Sequence, residues 1–306
     1  MSRIHEALKQ AKHGQDPAPL ADLAAAARSV AGSQDGTGFD RTNLSGLSVS
    51  GQAPEVPNSS CAGLDDFQNR CVKRVWKLDL GYCVFSGPRP RAELAEQFRK
   101  LRSRLYEMRK GQSLQTLVIT STVSAEGKTF VALNLALAIT RQNGRRVLLI
   151  DGDLRMPKLA SCLGVPSTPG LTEFVRGAAD ESSIIQSDPE GSLFFIAAGD
   201  SAANPTEMLA SERLQWLLAR MAPLFDWIIV DAPPVLPVSD AGVLAGHCDG
   251  VLVVVRAGST GYDAVGAALK ELRGKKVLGV VLNHADQCES LCDANSYYAG
   301  QRTMSA

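Results

Sequence analysis

The sequence predicts an α/β fold in which a doubly wound, mostly parallel sheet carries helices on both faces. Six short apolar runs lead to that expectation: Leu117 to Thr120, Val147 to Ile150, Leu193 to Ala197, Trp227 to Val230, Val251 to Val255 and Val277 to Leu282. They are rich in β-branched residues and show no polar alternation, the pattern of strands buried on both faces. Helical stretches lie between them, at Lys128 to Gln142, Asn204 to Met221, Asp240 to Ala245 and Tyr262 to Arg273. Such alternation places a ligand at the carboxyl ends of the strands.

The 306 residues suit one large α/β domain with added segments. Residues 1–13 form a short amphipathic stretch with Ile4, Leu8 and Ala11 at helical spacing, either a docking peptide or an ordinary frayed helix. Residues 14–69 turn to Ala, Gly, Ser, Pro, Asp and Asn, too poor in large apolar groups to offset ordering entropy, and read as a flexible linker. Residues 70–110 hold twelve Lys/Arg against four Asp/Glu, with a helix from Glu93 to Met108 that presents Arg99, Arg102 and Arg104. Residues 111–286 are the α/β domain, and residues 287–306 read as a mobile polar tail containing Tyr297 and Tyr298.

Lys plus Arg and Asp plus Glu number 32 each, so no global field recruits nucleic acid or an anionic membrane. The seven cysteines include no C-x-x-C pair and the four histidines complete no zinc pattern, which points to reduced, structural thiols. No run of about 18 apolar residues occurs.

The strand at Leu117 leads into Thr122-Val123-Ser124-Ala125-Glu126-Gly127-Lys128-Thr129-Phe130 and then a helix. A loop so placed cradles phosphates with its backbone N–H groups, aided by the helix dipole. Lys128 would reach the outer phosphates and Thr129 would offer its hydroxyl to Mg²⁺, although Thr122 stands where the usual pattern opens with glycine. Asp151 and Asp153 follow the second apolar run, and Asp231 ends another. Residues i and i+2 of an extended segment face one way, so Asp151 and Asp153 can both face a metal-bound phosphate chain. A plain acidic turn capping the next helix is the other reading of that pair. An aspartate placed like Asp231 holds Mg²⁺ directly or through water. The composition is that of a phosphoryl-transfer site, with water or a side-chain hydroxyl as nucleophile.

From about Arg91 to Asn283 these segments resemble the bacterial tyrosine kinases of capsule and exopolysaccharide production, which have a P-loop NTPase fold with a deviant Walker A loop. Gly127-Lys128-Thr129 is similar to the family's Walker A. Leu149-Ile150-Asp151-Gly152-Asp153-Leu154-Arg155 resembles its A′ segment, and Ile229 to Val235 followed by Ser239-Asp240-Ala241 resembles its Walker B region. Gly170-Leu171-Thr172, Asn204 to Leu209, Val255 to Gly258 and Gly279 to Asn283 are similar to further blocks.

The resemblance implies ATP and Mg²⁺ as cofactors and an autokinase that phosphorylates tail tyrosines, here Tyr297 and Tyr298, in neighbouring subunits. It implies Lys128, Asp151 and Asp153 as catalytic residues and Thr129, Asp151 and Asp231 at the metal. Residues Ser124, Ala125, Glu126, Gly127, Lys128, Thr129 and Phe130, with Asn283, would bind the nucleotide. Glu96, Arg99 and Arg102 are similar to an E-x-x-R-x-x-R segment used in ring-like self-assembly. A membrane-embedded adaptor of the chain-length-determining type would hold the cytoplasmic chain at the inner face of the plasma membrane.

Three departures stand out. The tail offers two tyrosines where the family has a dense cluster. Ser124 and Ala125 replace a common Pro-Gly, and Val123 stands where the related partitioning and septum-placement ATPases carry lysine. The rivals to the kinase are such an ATPase switch, with water as nucleophile, and a nucleotide-binding scaffold with little catalysis.

Overall fold

The computed structural model describes residues 70–86 and 91–285. The expected N-terminal helix, the linker and the tail with Tyr297 and Tyr298 lie outside them. Eight strands form one sheet: β1 (Val72–Lys73), β2 (Thr116–Ser121), β3 (Val147–Asp151), β4 (Ile185–Ser187), β5 (Leu193–Ile196), β6 (Trp227–Asp231), β7 (Gly250–Arg256) and β8 (Val277–Asn283). Their spatial order is β1-β4-β5-β3-β6-β2-β7-β8, parallel throughout except for the antiparallel pair β4 and β5.

The helices are α1 (Ala92–Lys110), α2 (Lys128–Thr140), α3 (Leu159–Leu163), α4 (Leu171–Arg176), α5 (Glu181–Ile184), α6 (Pro205–Leu209), α7 (Glu212–Met221), α8 (Asp240–His247) and α9 (Tyr262–Glu271). Alternate strand residues serve opposite faces. Leu117, Ile119, Leu149 and Ile229 enter a core with α1, α2 and α3. Val118, Leu148, Ile150, Ile228 and Val230 enter another with α4, α7, α8 and α9. These are the two helical layers that the sequence predicts.

Helix α2 is apolar nearly all round because it lies between the sheet and α1. On α1, Ala95, Phe98 and Leu105 form the buried stripe, and the ring of Phe98 meets Phe130 edge-on at 5.8 Å. Arg102 lies on that same stripe, contrary to the expectation that it is presented to solvent. Its Nη1 donates to Ala138 O of α2 at 2.5 Å. Glu96 and Arg99 point outward and pair at 2.9 Å.

Two further expectations need correction. The helix expected from Asn204 to Met221 is two, because Ser211 takes an extended backbone and its hydroxyl accepts from Leu214 N at the start of α7. The last strand, expected to be buried on both faces, is the sheet edge, with Val280 46% and Leu282 55% exposed. Strands β1 and β4 and helices α3 to α5 were not expected at all. Each is too short for periodicity to register.

Candidate nucleotide and phosphoryl-transfer site

Strands β3 and β6 lie side by side with Asp151 opposite Asp231, while β2 pairs with β6 on its other side. The loop from β2 to α2 therefore opens directly above the two aspartates. Its shape is set from below. Glu126 is buried; its Oε2 accepts from Val123 N at 2.9 Å, and its Oε1 accepts from Arg256 N at 3.3 Å and from the Thr260 hydroxyl. From the side, Val235 N donates to Ser121 O at 2.8 Å and Leu236 N to Thr122 O at 3.2 Å. The loop after β6 is thus sewn to the phosphate loop.

Gly127 has φ +94°, and a Cβ there would lie 2.0 Å from Asn283 Nδ2. Only glycine accepts both conditions. The Asn283 amide donates to Glu126 O at 2.8 Å, closing the loop against the end of β8. Ala125 also has a positive φ, 65°, the left-handed region that a side chain disfavours.

Helix α2 begins at Lys128 with no side chain capping its N-terminus, so its first-turn amides and positive dipole end face the space above the aspartates. Lys128 Nζ lies 2.8 Å from Asp153 Oδ2 and 3.4 Å from Asp231 Oδ1. Burial works against its charge, but Asp231 and Asp153 outweigh it and hold the ammonium above the ordinary lysine range. Thr129 Oγ1 donates to Asp231 Oδ2 at 2.6 Å. Burial is also the main reason that the fully buried Asp231 is raised, against the pull of Lys128 and Thr129.

Asp151 and Asp153 part company. The Asp153 carboxylate turns to Lys128 and also accepts from Met156 N at 3.0 Å. That of Asp151 accepts from Lys158 N and Leu159 N, at 3.1 and 3.0 Å, at the start of α3. The acidic-turn reading describes Asp151, which caps the start of α3, whereas Asp153 faces Lys128. Burial first, then Asp231, pushes the Asp151 carboxyl up to about 7.

The residues present fit a nucleotide and a divalent cation. Thr129 and Asp231 lie within one ion's reach of each other, and the acids around Lys128 outnumber it. Among the described residues no three His, Cys, Asp or Glu side chains form a metal cage. Mg²⁺ seldom needs one, since substrate phosphates and water complete its octahedron. Among the loop residues named from sequence, the side chains of Glu126 and Phe130 turn into the protein. The residues missed by sequence reasoning are those that brace the loops, chiefly Thr260, Arg155, Thr206 and the Asp240 carboxylate. The last three sit inside segments already recognised as motif blocks, which was the available signal.

Residues 117–295 match the family model described as the CobQ/CobB/MinD/ParA nucleotide binding domain. The chain belongs to that family. Within it, the chain stands with the bacterial tyrosine-protein kinases. It is 31% identical over 202 residues to the tyrosine-protein kinase YwqD of Bacillus subtilis, covering 65% of this chain and 85% of that protein. It is 34% identical over 205 residues to the succinoglycan biosynthesis transport protein ExoP of Rhizobium meliloti, covering 65% of this chain but 26% of that protein. Among solved structures, the kinase domain of the Escherichia coli tyrosine kinase ETK is similar at a TM-score of 0.61 and 32% identity, covering 63% of this chain and 76% of that one.

Proposed function

We propose that this chain is an ATP- and Mg²⁺-dependent protein-tyrosine autokinase serving exopolysaccharide or capsule synthesis and export. The observation that carries the reading is the convergence of Lys128, Thr129, Asp153 and Asp231 at the uncapped start of α2. Bound ATP and Mg²⁺ would supply the γ-phosphoryl group and neutralise charge that develops on it. Thr129 and Asp231 would hold the cation, and the first-turn amides of α2 would bind phosphate oxygens. Lys128, paired with Asp153 here, would turn to those oxygens and leave the Asp153 carboxylate to orient the acceptor hydroxyl. A tyrosine hydroxyl with a pKa of about 10 gives up its proton late, because little charge builds on it in a loose transition state. Asp151, held by α3, keeps the turn under Asp153 in place.

The acceptors are Tyr297 and Tyr298 of a neighbouring copy. Glu96 and Arg99 on the outer face of α1 are the groups available for ring-like assembly, while Arg102 supports them by fixing α1 to α2. Among the described residues no helix is long and apolar enough to cross a membrane. A membrane-embedded chain-length-determining adaptor would supply the membrane attachment.

Mixing two variants tests transfer between subunits. Lys128→Met keeps the tail but loses the site, and Tyr297→Phe/Tyr298→Phe keeps the site but loses the acceptors. Phosphotyrosine on the Lys128→Met chain, formed only in the mixture, is expected. Its absence, with the wild-type chain active, overturns transfer between copies.

A further inference from the structure

Asp240, the first residue of α8, has a side chain with no exposure. A buried carboxylate needs partners. Arg155 supplies a fork, with Nε 2.8 Å from Asp240 Oδ2 and Nη2 3.2 Å from Oδ1. Thr206 Oγ1, at the start of α6, donates to Asp240 Oδ1 at 2.6 Å and accepts from Arg155 Nη2 at 3.2 Å. Three connections above the carboxyl edge of the sheet meet at this cluster: the turn after β3, the loop after β6 and the loop after β5.

The position of each partner gives the cluster its meaning. Arg155 lies two residues after Asp153, in the turn that aims Asp153 at Lys128. Asp240 ends the loop that starts at Asp231 and is sewn through Leu236 to the phosphate loop. Below the cluster, Gly152 N donates to Asp231 O at 2.8 Å, and a Cβ at Gly152 would lie 3.0 Å from that oxygen. The two strand exits therefore touch at Gly152 and are tied again by Arg155.

We propose that Arg155 is a positioning residue, whose fork on Asp240 and Thr206 locks the turn carrying Asp153 to the loop carrying Asp231, so that Asp231 keeps its place at the nucleotide-bound cation while Asp153 stays beside it to meet the acceptor hydroxyl. The lock does not touch the nucleotide. Its effect is on how well bound cation and nucleotide reinforce each other. The inference rests on the phosphoryl-transfer reading of the site, and binding tests it without any turnover.

The affinity of a fluorescent ATP analogue is measured with and without Mg²⁺ for wild type, Arg155→Lys and Thr206→Val, alongside the melting temperature of each free protein. Arg155→Lys keeps the charge and loses the fork. It is expected to cut the Mg²⁺-dependent gain in affinity roughly tenfold, the worth of one charge-assisted hydrogen bond, with metal-free affinity unchanged. Thr206→Val removes one arm without a charge change, so it is expected to cut the gain by a smaller factor, and the double variant by less than the product of the two. A wild-type Mg²⁺ gain in both variants, even with a lowered melting temperature, overturns the proposal and leaves Arg155 a purely structural residue. A reduced gain in a protein that labels no tyrosine supports the lock while sinking the kinase reading.

Discussion

Asp151 shows how much a single carboxylate can carry in this site. Burial and Asp231 raise its carboxyl to about 7 from the ordinary 3.8. Between those values the folded chain keeps a proton that the unfolded chain releases, so this group's contribution to stability falls as pH rises through that window. Melting curves of the nucleotide-free protein should therefore lose stability from about pH 4 to 7, and Asp151→Asn should flatten that slope. An unchanged slope in the variant would assign the pH dependence to another group. Gly127 is the second residue whose type is dictated. Gly127→Ala meets a positive φ and the Asn283 amide together, so a loss of roughly 2–3 kcal/mol in denaturant unfolding is expected, with weakened nucleotide binding. That Lys128 and Thr129 meet Asp231 was legible from the strand-loop-helix pattern and from an aspartate at a strand end. The split between Asp151 and Asp153 was not, because i, i+2 reasoning holds only while the chain stays extended, and β3 ends at Asp151.

At the scale of elements, the long apolar strands and α2 announced themselves through composition, and α1 through its periodicity. What composition hid was the packing of the segment before α1. Residues 77–86 run along α3 and α2: Lys77 N and Asp79 N donate to Leu163 O and Cys162 O, and the fully buried Asn134 of α2 accepts from Val84 N and donates to Tyr82 O and Phe130 O. An asparagine inside an apolar helix is the sequence trace of such a clasp, but its partners lie about fifty residues away, beyond any local pattern. Asn134→Ala strands the Val84 amide and the Tyr82 carbonyl, while Phe130 O keeps its helical partner. It should cost roughly 2–3 kcal/mol in denaturant unfolding. A cost under about 0.5 kcal/mol would show that the segment is held by its apolar contacts instead. The break between α6 and α7 was missed for a different reason: apolar spacing runs on across Ser211, and the cap alone reveals the stop.

For the whole molecule, the sheet order brings β3, β6 and β2 together, so that their carboxyl ends assemble one site from segments more than a hundred residues apart. Fold class was legible because apolar β-branched runs alternate with helices, and the gathering of acids beside Lys128 because Asp151 and Asp231 each end such a run. The edge position of β8 was not, since its apolar run looks the same on an edge as in the middle. The central claim is that this site passes phosphate to tyrosine and does not merely hydrolyse nucleotide. Its most direct test follows γ-labelled ATP with Mg²⁺ and measures the label in phosphotyrosine against the label in free phosphate, for wild type and Lys128→Met. The account predicts label on Tyr297 or Tyr298 that falls at least roughly 100-fold in the variant. Free phosphate released by a chain whose tyrosines stay unmodified would contradict it.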